Sequence, residues 1–243
     1  MNSVLILGAR SDIARACAQH YAKQGYAVQL AARDTASLAA DATDLHLRHG
    51  VPVTSHGFDV LDTASFAGFL DSLPVLPDTV ICAVGFMGDQ ATSERDPQAA
   101  ALVMRSNYEG PSLILGLLAD RFTERNSGTL VGISSVAGDR GRASNYVYGS
   151  AKAGFTAFLS GLRNRLSRTR VQVITVKPGF VATRMTEGMD LNPRLTAQPD
   201  EVARAIWTAQ ARGRSVIYVR GIWRLVMTII RLLPEAVFKK TSL

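Results

Sequence analysis

Short apolar segments alternate along this chain with longer segments of helical periodicity. Apolar residues fill consecutive positions in several short segments, such as Val4-Leu5-Ile6-Leu7, which is typical of parallel strands covered on both faces. Strands are predicted at residues 3–7, 27–32, 52–58, 79–84, 129–134, 171–176 and 215–219. Helices are predicted at residues 12–24, 35–49, 63–72, 97–120, 145–167 and 199–212. Gly25 and Gly50 stand where helices would end, and Pro97 and Pro199 where helices would begin.

This order of elements predicts the fold class. Repeated strand–helix units with right-handed crossovers give an α/β fold, a doubly wound and mostly parallel sheet of about seven strands with helices on both faces. The 243 residues suffice for one well-buried domain and are few for two. We expect one domain over residues 1–220, extended by a basic amphipathic tail over residues 221–243.

Composition narrows the class of protein. Hydrophobic residues make up 47% of the chain and no low-complexity tract interrupts it, as expected for a globular protein. Cys17 and Cys82 lie in apolar segments, so we expect buried thiols in a reducing compartment. The first residues enter a strand without a basic leader, and the predicted location is cytoplasmic.

The net charge of +7 is concentrated near the C-terminus. From residue 212 onward seven basic residues stand against one acidic residue, so six of the seven net charges lie there. A charge confined to one end does not form the broad basic surface that binds nucleic acid, and no such partner is predicted. His46 and His49 have no third ligand near them in the sequence, and no metal site is predicted.

Polar residues and glycines follow the ends of the predicted strands. In chain order they are Gly8, Arg33, Asp59, Gly85, Ser135 and Pro178-Gly179. In doubly wound sheets, ligands bind at the carboxyl ends of the strands. The sequence therefore predicts a functional cleft at that edge of the sheet.

Tyr148 and Lys152 are one helical turn apart, and Ser135 precedes Tyr148 by thirteen residues. Positions i and i+4 share a helix face, so the ammonium of Lys152 is expected beside the phenol of Tyr148. A nearby cation favours the phenolate and lowers the pKa of a phenol from its ordinary value of about 10. Taken alone, the pair also fits an ordinary surface pair with a snorkelling lysine.

Further motifs accompany this pair. In chain order they are Gly8-Ala-Arg-Ser-Asp-Ile-Ala14, Phe58-Asp59-Val60, Ser106-Asn107-Tyr-Glu-Gly110, Ile133-Ser134-Ser135-Val-Ala-Gly138, Tyr148-Gly-Ser-Ala-Lys152 and Lys177-Pro178-Gly179-Phe-Val181-Ala-Thr183. With these motifs in this order, the chain resembles the short-chain dehydrogenase/reductase family over residues 1–220. The resemblance implies a Rossmann fold, a nicotinamide cofactor, and homodimers or homotetramers formed through the helices that begin near Pro97 and Asn145.

The resemblance also implies roles for individual residues. Tyr148 would exchange a proton with the carbonyl or alcohol oxygen, and Lys152 would lower its pKa and hold the nicotinamide ribose. Ser135 would orient the reacting oxygen, Asn107 would anchor a water in the proton relay, and Ser134 would be a hydrogen-bonded core residue. The cofactor-binding residues would be Gly8, Arg10, Ser11, Asp12, Ile13, Arg33, Asp59, Val60, Gly85, Tyr148, Lys152, Pro178, Gly179, Val181 and Thr183.

The end of the second predicted strand indicates which cofactor is used. An acidic side chain there would bind the ribose hydroxyls and repel a 2′-phosphate. The chain has Ala32 followed by Arg33, so we expect NADP(H) rather than NAD(H).

The chain departs from the family pattern at two places. Asp12 replaces a glycine of the cofactor loop, and Ala14 replaces another; Cys82-Ala83-Val84-Gly85 keeps only the glycine of an Asn-Asn-Ala-Gly motif. A carboxylate near a pyrophosphate is repulsive. We expect Asp12 to cap the first helix through the amide of Ala14 or Arg15, with Arg10 or Arg15 offsetting its charge.

The tail after residue 220 predicts an amphipathic helix. Arg224, Thr228, Arg231 and Glu235 form a narrow polar stripe, and a broad apolar arc with a tryptophan covers the rest. This pattern favours an interfacial helix, with peripheral membrane contact through residues 221–240. A helix packed on its own domain and a subunit interface are the alternatives. In composition the tail also resembles that of reductases acting on polyprenyl-phosphate-linked keto-sugars, which implies a lipid-linked carbonyl substrate.

Together these features predict an NADP(H)-dependent oxidoreductase that acts on a ketone or secondary alcohol. One alternative is a catalytically silent nucleotide-binding sensor or scaffold of the same fold. Another is a soluble fatty-acyl or polyol reductase whose tail packs on a neighbour. Residues 184–198 contain glycine and proline breaks and are interpreted as a mobile lid over the substrate.

Overall fold

The structure is a computed structural model that describes residues 1–241; the last two residues of the predicted tail, 242–243, lie outside the described residues. The strands are β1 (Ser3–Leu7), β2 (Ala27–Ala32), β3 (Val53–Gly57), β4 (Thr79–Cys82), β5 (Gly128–Ile133), β6 (Val171–Pro178), β7 (Phe180–Val181), β8 (Thr196–Ala197) and β9 (Val216–Val219). The α-helices are α1 (Asp12–Lys23), α2 (Ala39–His49), α3 (Phe66–Asp71), α4 (Gln90–Arg95), α5 (Pro97–Met104), α6 (Gly110–Arg125), α7 (Tyr146–Arg165), α8 (Pro199–Ala211), α9 (Ile222–Leu232) and α10 (Glu235–Phe238).

The main sheet has seven strands in the order β3-β2-β1-β4-β5-β6-β9. Every neighbouring pair in it is parallel, with Val4 opposite Val28 and Leu5 opposite Val80 in the register of β1 with its two neighbours. The predicted doubly wound fold is therefore confirmed. The order reverses between β1 and β4, and ligands of such sheets bind at this reversal.

The consecutive apolar residues of β1 serve two separate cores. Val4 and Ile6 face the core that packs under α1, α2 and α8, whereas Leu5 and Leu7 face the core under α3, α6 and α7. Side chains of a strand alternate between the two faces, so a strand covered on both faces must be apolar throughout. Cys17 and Cys82 are buried as free thiols, one in each core.

The predicted helix over residues 97–120 is divided in the structure. It forms α5, a π-helical segment Arg105–Glu109, and α6, which extends to Arg125. Pro111 has no N–H to donate to the carbonyl of Asn107 four residues earlier, so the α-helical register is interrupted there. The sequence pattern also missed α4 and the two-stranded pair β7–β8.

The tail forms a helix, α9, that packs on the domain through one face. Trp223, Met227 and Ile230 are buried there in a third apolar cluster, together with Val136. Val226 is partly buried beside them, and the remaining apolar side chains of α9, Ile222, Leu225, Ile229 and Leu232, are exposed. A boundary at residue 220 stays a prediction.

A polar network ties the segment after β5 to the sheet and to α9. The ammonium of Lys177 lies 2.5 Å from Asp139 Oδ1, both side chains are buried, and the hydroxyl of Tyr218 donates to Asp139 Oδ2 at 2.8 Å. Arg140 donates to the carbonyls of Ile230 and Leu233 at the C-terminal end of α9. The residues between Ser135 and Tyr148 are therefore anchored from two sides.

None of the helices within residues 1–241 has both the length and the apolar character needed to cross a membrane.

Candidate active site

Two adjoining cavities lie at the carboxyl edge of the sheet. The larger has a volume of about 690 Å³ and the smaller about 490 Å³, and they share Ser11, Ala83, Val84, Gly85 and Arg184. Predicted site residues in the larger cavity are Ser11, Asp12, Ile13, Gly85, Ser135, Tyr148, Lys152, Pro178, Gly179, Val181 and Thr183. Those in the smaller are Gly8, Arg10, Ser11, Arg33, Asp59, Val60 and Gly85. Of the predicted set, Asn107 alone lines neither cavity.

Tyr148 and Lys152 share one face of α7 at the floor of the larger cavity. The Lys152 residue is 3% exposed, and its Nζ donates to the main-chain oxygen of Ile133 at 3.0 Å. The same Nζ lies 5.6 Å from the centre of the Tyr148 ring. A lysine this deeply buried is not a snorkelling surface residue, so the ordinary surface reading of the pair does not apply.

The position of α7 is fixed by close contact with the turn after β5. A Cβ atom on Gly138 would lie 2.7 Å from the main-chain carbon of Lys152, so only glycine permits this approach. Ser134 is buried, as expected, and its hydroxyl donates to the Lys152 oxygen at 3.0 Å. Ser135 Oγ accepts from the amide of Ala137 at 3.1 Å and faces the cavity.

The pKa of Tyr148 does not follow the expectation from sequence. Burial raises it to about 12, and the Ser135 hydroxyl acts in the opposite direction. The pKa of Lys152 is lowered to about 8, again by burial. The Tyr148 phenol is therefore less acidic than a free phenol, because desolvation disfavours its charged form. That Lys152 lowers this pKa stays a prediction.

Asn107 is buried directly behind Gly85. Its Nδ2 donates to the main-chain oxygens of Phe86 at 2.6 Å and Val103 at 2.8 Å, and its Oδ1 accepts from the Phe86 amide at 3.2 Å. Both donors of the amide are therefore used within the protein. The side chain therefore positions the segment after β4. The predicted role of Asn107 in anchoring a water stays a prediction.

The loop between β1 and α1 has the shape of a phosphate cradle. Gly8 has a φ of +80°, and a Cβ there would lie 3.0 Å from the amide nitrogen of Val84. Ser11 caps α1 by accepting from the Ala14 amide at 3.2 Å. A glycine turn that leads into the N-terminus of a helix favours a pyrophosphate, so these residues fit a dinucleotide.

Asp12 does not cap the helix, and this prediction is wrong because Ser11 takes that place. Asp12 instead pairs with Arg184, whose amide and Nε donate to its carboxylate at 2.9 and 3.2 Å. Arg184 Nη2 also donates to the main-chain oxygen of Arg10. Arg184 rather than Arg10 or Arg15 thus offsets the carboxylate, since Arg15 pairs with Asp41 at 3.0 Å.

The positively charged side chain of Arg33 lines the smaller cavity at the end of β2 and is exposed. The neighbouring Asp34 turns away and accepts a hydrogen bond from the amide of Ala36 at 3.0 Å. Asp59 Oδ1 accepts from the Leu61 amide at 3.0 Å.

Sequence reasoning missed several residues that line the larger cavity. Trp223 of α9 stacks on the backbone at Gly179, and its Nε1 donates to the Leu195 oxygen at 3.0 Å. Arg142 and Asn145 enter from the loop before α7, and Met87 enters from the segment after β4. These positions follow no motif, because tertiary packing alone brings them to the cavity. The mobility of residues 184–198 stays a prediction.

Within residues 1–241, no three metal-ligating side chains cluster in a way that would hold an ion.

Comparison with known proteins finds a matching family model and similar oxidoreductases. The family model described as short chain dehydrogenase matches residues 2–193. An uncharacterized oxidoreductase of Mycobacterium tuberculosis is 38% identical over 242 residues, which span 98% of this chain and 96% of that protein.

Solved structures share the fold. A short-chain dehydrogenase from Sphingobium yanoikuyae in complex with NADPH superposes with a TM-score of 0.82 at 23% identity, over 97% of this chain and 98% of that one. A 3-oxoacyl-[acyl-carrier protein] reductase with bound NAD from Brucella melitensis gives 0.80 at 25% identity, over 90% of this chain and 89% of that one.

The buried ammonium predicts a pH-dependent stability difference for Lys152→Met. The folded pKa of about 8 lies below the ordinary value of 10.5, so the unfolded chain binds more protons between these values. Wild-type stability therefore gains about 2 to 3 kcal/mol relative to the variant between pH 7 and pH 10. Chemical denaturation of both proteins across this range measures the difference.

Lys23→Met, an exposed change at the last turn of α1, is the control and should show no such slope. A constant difference between Lys152→Met and the wild type would contradict a desolvated ammonium.

Proposed function

We propose that this chain, which belongs to the short-chain dehydrogenase/reductase family and is an oxidoreductase of that type, transfers hydride between NADP(H) and a ketone or secondary alcohol. The observation that carries this proposal is the meeting of Ser135, Tyr148 and Lys152 in the cavity that adjoins the glycine-lined groove. The nicotinamide supplies the hydride.

Tyr148 is the proton donor to the carbonyl oxygen in this proposal. Its raised pKa keeps the phenol protonated at neutral pH, which suits the reductive direction. The alkoxide that forms is far more basic than the phenolate, so the proton transfer is favourable. The hydroxyl of Ser135 points towards Tyr148. It would donate a hydrogen bond to the same carbonyl oxygen of the substrate that receives the proton.

Lys152 and Asn107 support the return of the proton. The ammonium of Lys152 stays charged below a pH of about 8 and stabilises the phenolate that remains after transfer. A water held on the main-chain oxygen of Asn107 would link the site to solvent past Gly85. The backbone of Gly85 lies beside the side chains of Asn107 and Lys152. Lys152 also holds the ribose of the nicotinamide.

Charge at the end of β2 supports NADP(H) over NAD(H). Arg33 lines the smaller cavity and pairs with no carboxylate among residues 1–241, so its guanidinium is available for a 2′-phosphate. Asp34, the nearest acid in the chain, is engaged with the turn Ala36–Leu38 and does not occupy the ribose position.

A catalytically silent sensor of the same fold is the second candidate. The repulsion that Asp12 would exert on a pyrophosphate is its main support. The salt bridge from Arg184 at 3.2 Å neutralises that carboxylate, which weakens the case for a damaged cofactor site. Turnover separates the two candidates.

The exposed face of α9 supports a peripheral contact with the cytoplasmic face of a membrane. Ile222, Leu225, Ile229 and Leu232 recur at spacings of three and four residues and form one exposed stripe. Exposed cations occur in the same segment, with Arg224 and Arg231 on another side of α9 and Lys239 and Lys240 after it. An exposed apolar stripe on a basic segment suits an anionic lipid surface, and it lies on the helix whose Trp223 lines the cavity. A lipid-linked carbonyl substrate would reach the site from that surface.

Homo-oligomer formation through the helices that begin near Pro97 and Asn145, which are α5, α6 and α7, is a further part of the proposal. Leu102, Met104, Tyr108, Leu113 and Leu117 are large apolar side chains exposed along these helices. A patch of this kind on a globular protein marks an interaction surface. Sedimentation velocity of the wild type, which should show a dimer or tetramer, checks it.

Tyr148→Phe tests the catalytic role. We expect NADPH oxidation with a panel of ketones to fall by about 10²- to 10⁴-fold, because the proton donor is lost. NADPH affinity, measured by fluorescence titration, should fall by no more than about tenfold, the value of one hydrogen bond to the cofactor.

Tyr146→Phe, at an exposed position on the same helix, is the matched control and should keep full activity. NADPH binding without any turnover by the wild type would favour the silent sensor.

Arg33→Ala tests the cofactor preference. Loss of charge-assisted hydrogen bonds to a phosphate should weaken NADPH binding by about 10- to 100-fold and leave NADH binding unchanged. Calorimetric titration with both cofactors measures this. Arg48→Ala, an exposed arginine paired with Asp44, serves as the control, and equal losses for NADPH and NADH would contradict the assignment.

The triple variant Leu225→Ser, Ile229→Ser, Leu232→Ser tests the membrane contact. Removing three exposed aliphatic side chains should lower binding to vesicles containing phosphatidylglycerol by more than about tenfold. Flotation measures it, with phosphatidylcholine vesicles showing weaker binding for both proteins.

The control variant carries Leu47→Ser and Val75→Ser, which replace exposed aliphatic residues elsewhere. Equal flotation of all three proteins would exclude the lipid contact, and a change in oligomer mass in the triple variant alone would assign the stripe to a subunit interface.

A further inference from the structure

We propose that Arg142 binds an anionic group of the substrate, so that the preferred substrates are ketones that carry a carboxylate or phosphate. This inference rests on the proposed reductase function and adds the substrate class to it. No sequence motif marks Arg142, and it lies on the substrate side of the cavity, in the loop between Ser135 and Tyr148.

The guanidinium of Arg142 is a partly buried cation without a counter-charge. It makes no salt bridge or side-chain hydrogen bond within residues 1–241, and its Nε is buried without a partner. Burial lowers the pKa of Arg142, with no carboxylate acting in the opposite direction. A desolvated donor that lacks a partner is unfavourable, so the arrangement is most stable when a ligand supplies the acceptor.

The acidic side chains of the same cavity are already engaged elsewhere. Asp12 is bound by Arg184, and Asp89 caps α4 by accepting from the amide of Thr92 at 2.8 Å. Neither carboxylate forms a salt bridge with Arg142, so an incoming anion meets an unpaired guanidinium.

A second polar atom of the same cavity also lacks a partner. Asn145 lines the cavity, and its Oδ1 is buried without a hydrogen bond from residues 1–241. An oxygen in that position accepts from a hydroxyl or from a protonated acid. The two residues thus offer donors and one acceptor to a polar group on the substrate.

The loop holds Arg142 in place before any ligand arrives. Asp139 is fixed by Lys177 and Tyr218, and Arg140 by the carbonyls at the end of α9 and by Glu235 at 2.8 Å. Arg140 and Arg142 are two residues apart, yet only Arg140 has its donors satisfied. A cation on a fixed loop loses little conformational entropy on binding, which favours affinity.

The rest of the cavity wall indicates the body of the substrate. Met87, Phe180, Met185, Met189 and Trp223 line it, and these side chains suit an apolar or weakly polar carbon chain. The ligand that fits is a ketone with an apolar body and one oxyanion. Tyr148 and Ser135 would take the carbonyl, and Arg142 would take the oxyanion.

The test compares matched ketones that differ only in charge. Linear oxo-carboxylates such as 5-oxohexanoate are each paired with their methyl esters, and oxo-phosphates with the corresponding oxo-alcohols. With NADPH, the wild type should show kcat/KM at least about tenfold higher for the anion of each favoured pair. The carboxylate and phosphate arms distinguish the two oxyanions.

Arg142→Met should lower kcat/KM for the anions by about 10- to 100-fold, chiefly through KM, and leave the esters and the KM for NADPH unchanged. Arg142→Lys should recover part of the loss because it restores a charge. Arg165→Met, which removes an exposed arginine of α7, is the control and should change nothing.

Failure of this inference is distinguishable from failure of the proposed function. Turnover of neutral ketones with no preference for anions, or equal losses for acid and ester in Arg142→Met, overturns the role of Arg142 and leaves the reductase intact. If no ketone is reduced, calorimetry of 5-oxohexanoate with NADPH-loaded protein decides. Binding that disappears in Arg142→Met supports the anion site, and absence of binding to the wild type overturns it.

Discussion

The ammonium of Lys152, buried at the carboxyl edge of β5, is the constraint on which the site depends. It donates to the Ile133 oxygen at 3.0 Å, and burial rather than a neighbouring acid governs its pKa. Such a charge is unfavourable in isolation, so the packing of α7 on the sheet must offset it. Phe155 and Leu159, one and two turns further along α7, are buried in the core beneath β5. Because the preceding turn carries Tyr148, the same packing that holds the lysine also fixes the phenol.

The opposite wall of the cavity depends on the C-terminal helix. Trp223 reaches the backbone of Gly179, and Arg140 joins the end of α9 to the loop that carries Arg142. A motion of α9 would therefore displace the cavity wall and the loop together. This coupling gives a physical reason for an exposed apolar stripe on this helix, because a partner surface that binds the stripe would also fix the cavity wall in place.

Much of the fold was predictable because its signals are local. The apolar residues of β1 and β2 predicted both strands with their observed bounds, and the glycine and polar residues at strand ends predicted the edge where the cavities lie. Features that depend on distant residues were not predictable. Asp12 pairs with Arg184, which is far away in the sequence. The π-helical turn at Asn107 depends on the contact with Phe86 and on Pro111 together. The raised pKa of Tyr148 results from burial, which the helical spacing of Tyr148 and Lys152 does not predict. The same holds for Arg142, which carries no motif and becomes notable only when its missing partner is seen in three dimensions.

Charges along the cleft divide into two kinds. Arg184 and Arg140 each have a carboxylate partner, Asp12 and Glu235, and these pairs hold loops together. Arg10, Arg33, Lys152 and Arg142 have none within residues 1–241; the first two line the smaller cavity, and the last two line the larger. Lys152 is buried and Arg142 partly buried, so each lowers stability unless a ligand brings negative charge to it, whereas the exposed Arg33 carries no such penalty. In the proposed reaction, Arg33 would meet a phosphate of the cofactor, Lys152 would lie near the oxygen that becomes negative during reduction, and Arg142 would meet an oxyanion of the substrate.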